Sequence, residues 1–116
     1  MTISEVSAAL GTELLHDNFN DTGLSGAYTS DLLSDVIANA KDGGALITIQ
    51  AHKNTVAVAT LVDVTAIIVC NNRPIPEDML AAARENDIAI LLTNENQFTV
   101  SGKLYGLLRQ QSTTSS

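Results

Sequence analysis

Three clusters of hydrogen-bonding residues, each directly after a short apolar run, hold most of the polar chemistry this chain can offer. Gln50, His52, Lys53 and Asn54 follow residues 45–49; Asn71, Asn72 and Arg73 follow residues 66–70; Thr93, Asn94 and Asn96 follow residues 88–92. Amides, hydroxyls and basic groups bind more readily than they react. Together with helix N-termini, Arg73 and its neighbours suit a small anionic or amide-bearing ligand. The same residue types also solvate turns and cap helices, so both readings stand.

Nothing in the sequence assembles a catalytic set. His52 has no carboxylate at a motif spacing that would make it a general base, and His16 is distant, so a surface loop histidine is the alternative. No metal site and no cofactor is expected: HxxxH and CxxC are absent, and Cys70 is the one cysteine. An EF-hand reading of residues 17–23 fails because the third position is Phe19. GxxxxGK[ST] and GxGxxG are absent, and Gly43-Gly44 precedes an apolar run where a phosphate loop would open a helix. Cys70 ends such a run and reads as a packed thiol, while Ser30, Ser34 and Ser101 lack a G-x-S-x-G setting.

The elements that must position these residues follow from spacing. Thr2-Ile-Ser-Glu5 is a capping box ahead of Ile3, Val6 and Leu10, with Gly11 placed to end a helix over residues 3–10. A brief strand is expected over residues 13–16 and a loop over 17–23. Leu32, Leu33, Val36, Ile37 and Ala40 recur at helical spacing, with Ser30 as the N-cap and Asp31 in the first turn. Residues 45–49, 66–70 and 88–92 read as buried strands. Residues 54–64 fit either a strand, closed into a hairpin by residues 51–54, or a helix capped by Asn54; the helix agrees better with the rest of the chain. Pro76, Glu77 and Asp78 open a helix carrying Met79, Leu80 and Ala83. A last amphipathic helix over residues 101–110 aligns Leu104, Leu107 and Leu108, and a polar tail, 111–116, has no reason to order. The alternation predicts one α/β domain over residues 1–110, a mainly parallel sheet flanked by helices in three layers.

Charge narrows the partners. Six Lys and Arg against thirteen Asp and Glu leave a net charge of −7, the wrong sign for a phosphate backbone or an anionic membrane surface. Tyr28, Tyr105, Phe19 and Phe98 are the only aromatics, too few for a base-stacking platform. Without a cysteine pair, a basic leader or a long apolar span, a cytoplasmic protein is the expectation.

Residues 26–34 (Gly-Ala-Tyr-Thr-Ser-Asp-Leu-Leu-Ser), 45–49, and 52–59 (His-Lys-Asn-Thr-Val-Ala-Val-Ala) resemble the DRTGG-domain family, although the literal Asp-Arg-Thr-Gly-Gly string is absent. The order continues through residues 66–69, 76–80 and 87–92. The resemblance implies a small domain similar to the N-terminal domain of HPr kinase/phosphorylase, homodimeric, non-catalytic and regulatory, with a small metabolite or nucleotide as ligand. It places Asp31, Ser34, His52 and Asn54 in matching segments; with Asn71, Arg73, Thr93 and Asn94 from the other loops, they form the candidate site. The alternatives are a ligand-free interaction subunit of a partner enzyme, for example in an iron-hydrogenase system, and an enzyme of phosphoryl-transfer type.

Overall fold

The capping box at the start of the chain closes as its spacing requires. In the computed structural model, Thr2 Oγ1 accepts from the Glu5 amide at 3.2 Å and Glu5 Oε1 accepts from the Thr2 amide at 2.8 Å. Helix α1 (Ile3–Leu10) ends at Gly11, whose φ of +69° is a conformation that glycine adopts without steric cost. The structure describes the backbone of residues 1–114 and the side chains of residues 1–110.

The chain continues as β1 (Glu13–Leu14), β2 (Ala27–Thr29), α2 (Leu33–Asn39), β3 (Ala45–Thr48), α3 (Lys53–Leu61), β4 (Ala66–Val69), α4 (Glu77–Glu85), β5 (Ala89–Leu92) and α5 (Gln97–Thr114). The five strands form one sheet in the order β1-β5-β4-β3-β2. Strands β2 to β5 are parallel in register, Ala45 opposite both Ala27 and Ala66, and Ala66 opposite Ala89; β1 joins β5 antiparallel.

Because the parallel strands are neighbours in chain order, right-handed crossovers place their three connecting helices on one face. There Val36, Val56, Met79 and Ala83 pack on Leu46, Ile67, Val69 and Ile90. The other face carries α1 and α5, with Val6, Leu10, Val100 and Leu104 against Ile47, Ile68, Cys70 and Leu91. The three-layer α/β architecture is therefore as expected.

Several local expectations differ from what the structure shows. Residues 54–64 are largely helical, but α3 is capped by His52, whose Nδ1 accepts from the Asn54 amide at 3.0 Å; Asn54 lies inside the first turn. Helix α2 starts at Leu33, after an N-cap without a side-chain bond, so Asp31 precedes the helix. Ser30 Oγ instead accepts from the Leu32 amide at 3.2 Å, a local turn bond. Leu32 and Ile37 were placed on the apolar face, yet both are exposed and Val36 is the fully buried residue of α2. Strand β2 has no apolar run to announce it; Tyr28 alone faces inward, donating to both Asp35 carboxylate oxygens at 2.9 Å. Helix α5 is longer than residues 101–110, and the expectation of an unordered tail, as far as it concerns residues 115–116, lies outside the described residues.

Candidate functional site at the carboxyl rim

Four adjacent parallel strands bring four loops to one edge of the sheet, where peptide dipoles and helix N-termini converge. Asp31 follows β2, residues 49–52 follow β3, Cys70 to Arg73 follow β4, and residues 93–96 follow β5. The geometry unites the loops that carry the candidate residues.

Asp31 is the hub. Its Oδ1 accepts from Thr48 Oγ1 at 2.9 Å, from the Ile49 amide at 2.8 Å and from Gln97 Nε2 at 3.0 Å. Its carbonyl accepts from Gln50 Nε2 at 3.1 Å. One side chain therefore ties the ends of β2 and β3 to the first residue of α5. All three bonds to the side chain fall on Oδ1, so among the described residues Oδ2 is the acceptor outside the network. Thr48 is fully buried and continues the chain of bonds, its Oγ1 accepting from the Gln50 amide at 3.1 Å.

On the β4 and β5 side the loops are joined through backbone. The Asn71 amide donates to Glu95 O at 2.9 Å and the Asn72 amide to Thr93 O at 2.8 Å. Both asparagines are left-handed, with φ of +60° and +49°, a region that asparagine tolerates better than most side chains. Thr93 is buried, and its Oγ1 accepts from the Glu95 amide at 3.2 Å. Asn96 caps α5, accepting from the Thr99 amide at 2.9 Å, and Lys103 pairs with Glu95 at 2.9 Å.

Among the candidate residues, Asp31 and Thr93 are thus built into the rim. His52, Asn54, Asn71, Arg73 and Asn94 are exposed around it, and Ser34 is exposed in the first turn of α2 without a bond to the Asp31 network. Gln97 and Glu95 complete the hydrogen bonding and were not singled out from sequence. Gln97 lies 66 residues from Asp31, a separation at which no motif spacing operates.

The electrostatics suit binding better than nucleophilic attack. Burial, with further contributions from Asp31 and Glu95, pushes the Cys70 thiol up to about 11, so it is protonated at neutral pH. Hydrogen bonds from Ser30, Tyr28 and Asn39 hold the Asp35 carboxyl below its usual range, and the same bond holds the Tyr28 phenol above its own. Among the described residues no three His, Cys, Asp or Glu side chains are grouped to hold a metal ion, and no helix is long and apolar enough to cross a membrane.

No protein-family model and no curated protein matches the chain. The chain is similar to the CBS and DRTGG domains of the regulatory region of Clostridium perfringens pyrophosphatase, complexed with its activator diadenosine tetraphosphate, with a TM-score of 0.70 and 16% identity. The match covers 89% of this chain and 45% of that one, so this chain spans less than half of the neighbour's length.

Proposed function

We propose that this protein is a non-catalytic regulatory domain that binds a small metabolite or nucleotide at the carboxyl rim and acts as a homodimer. The observation that carries the reading is the Asp31 network: a carboxylate with one oxygen committed to Thr48, Ile49 and Gln97 and the other uncommitted, at the edge where four parallel strands end. Such an acceptor suits a ligand hydroxyl or amine. Arg73, exposed on the loop after β4, supplies the complementary anion-binding group. The fold neighbour supports this reading, being the regulatory region of an enzyme crystallised with a nucleotide activator.

A thermal-shift screen against diadenosine tetraphosphate, mononucleotides and phosphorylated metabolites tests it through the linkage between binding and melting temperature. The expected result is a dose-dependent stabilisation that Arg73→Ala weakens by roughly tenfold to a hundredfold in affinity, the worth of a charge-assisted hydrogen bond. A flat screen, or full affinity in Arg73→Ala, removes the rim as a site. Light scattering across a concentration series tests the dimer, and a monomer at all concentrations removes that part of the reading.

A further inference from the structure

At the end of the sheet opposite the rim, residues 15–19 are held in place by one imidazole with both ring nitrogens engaged. We propose that this segment is a pH-operated latch: protonation of His16 drives the turn of residues 17–19 off the fold and uncovers Phe19.

The first argument is the tautomer. The β1–β5 ladder pairs Glu13 with Leu92 and Leu14 with Leu91, and the Leu15 amide prolongs it by donating to Ile90 O at 3.1 Å. His16 then takes over with its side chain. Its Nε2 lies 2.7 Å from Ile88 O, and its Nδ1 lies 3.0 Å from the Asn18 amide nitrogen. A carbonyl can only accept and an amide N–H can only donate, so the ring proton sits on Nε2 and the lone pair on Nδ1. Both bonds exist together in one neutral tautomer and in no other state of the ring.

The second argument is what the ring holds. Asn18 Nδ2 donates at 2.7 Å to the carbonyl of Arg84, in the last turn of α4. The Phe19 ring stands edge-on to the imidazole, with 5.8 Å between centres and 84° between planes. Phe19 is in turn partly buried against the core beneath α1 and α5. His16 is half-buried where these contacts meet, so the turn, the end of α4 and the start of β5 are joined through it.

Histidine is the side chain that changes charge near neutral pH, and this chain has two. A second proton on the His16 ring has to go to Nδ1, where it points at the Asn18 N–H. Donor then faces donor, while the bond from Nε2 to Ile88 O strengthens as its donor becomes charged. The ring stays at the start of β5 and the turn leaves. Because the open turn has room for this proton and the closed turn has none, falling pH favours opening. The charged groups on the surrounding elements are Glu13, Asp17 and Asp21 on the same segment, Arg84 and Glu85 at the end of α4, and Asp87 ahead of β5. Among the described residues none of them forms an ion pair with the ring, so hydrogen bonding selects its neutral form.

The test is nuclear magnetic resonance on the full chain labelled with nitrogen-15. At about pH 7.5 the His16 ring should show the Nε2–H tautomer. As His16 titrates toward about pH 5, its Overhauser contacts to Phe19 should disappear. Over the same range the Asn18 amide should lose about tenfold in protection against hydrogen exchange, the scale of one lost hydrogen bond. His52→Gln removes the other titrating ring and should leave this transition in place. His16→Gln can still donate to Ile88 O but gains no proton, so its Asn18 protection should be flat with pH. An Nδ1–H tautomer near neutral pH, a wild-type turn that stays closed once His16 is protonated, a transition that survives in His16→Gln, or one that His52→Gln abolishes would each overturn the proposal. The first two outcomes are read on wild type, so they decide even where a variant fails to fold.

Discussion

The two faces of the sheet are covered by different means. On one, three crossover helices follow directly from the parallel strand order, and Leu46, Ile67 and Ile90 lie beneath them with no exposed surface. On the other, the first and last helices of the chain share five strands, and a groove opens beside Phe98 and Tyr105 where α5 passes over β2. Crossover topology guarantees cover on one side only. The second face depends on how far two separate helices reach, and there the molecule leaves aromatic surface uncovered.

Neighbouring residues of β3 sharpen that comparison most. Leu46 points to the three-helix face and Ile47 to the groove face, and both are essentially buried. Leu46→Ala is expected to lower unfolding free energy by about 3–5 kcal/mol, and Ile47→Ala by about 2 kcal/mol, since its cavity opens toward the groove and cannot remain an enclosed void. Urea unfolding measures both, and equal losses would break the distinction. Asp31→Ala comes next. It strips the acceptor from Thr48, Ile49 and Gln97, an expected loss of about 1–3 kcal/mol by the same method.

Cys70 sits on the groove face yet is fully buried, which tests whether that face is dry near the rim. Its folded thiol is raised from 9.0 to about 11. A raised acid stays protonated in the fold, so its contribution is full below pH 9 and is lost as pH climbs to about 11. Wild type should therefore lose stability over that window more steeply than Cys70→Ala, read as urea midpoints at matched pH. Parallel profiles would mean that water reaches the thiol. The smallest effects belong to the groove wall. Gly102→Ala is expected to raise stability by about 0.5–1 kcal/mol through helix propensity, and Phe98→Ala to change it by less than about 0.5 kcal/mol. A large loss in Phe98→Ala would show that the ring supports the fold.

Much of the architecture was legible because its signals are local. The capping box, the β-branched runs of β3, β4 and β5, and Pro76 ahead of α4 each act within a few residues, and each produced its element. Strand β2 was illegible because a three-residue edge strand with one inward side chain has no period to detect. Histidine is an uncommon N-cap, so His52 was passed over for Asn54, whose side chain does no capping. Helical spacing selected Leu104, Leu107 and Leu108 on α5 and thereby concealed the second stripe of Phe98 and Tyr105. The rim loops could be placed from the strand order, but the convergence of Thr48 and Gln97 on Asp31 joins segments that only the fold brings together.

The antiparallel pairing of β1 with β5 has a kinetic consequence. Strands β2, β3 and β4 each pair with the next strand in the chain, but Glu13 meets Leu92 across nearly 80 residues. Loop-closure entropy favours the short-range βαβ contacts over that long one. Folding should therefore condense the four-strand block first and dock the N-terminal segment last. In the native state the β1 amides, held by a two-residue pairing at the sheet margin, should be the first of the hydrogen-bonded strand amides to exchange with solvent deuterium.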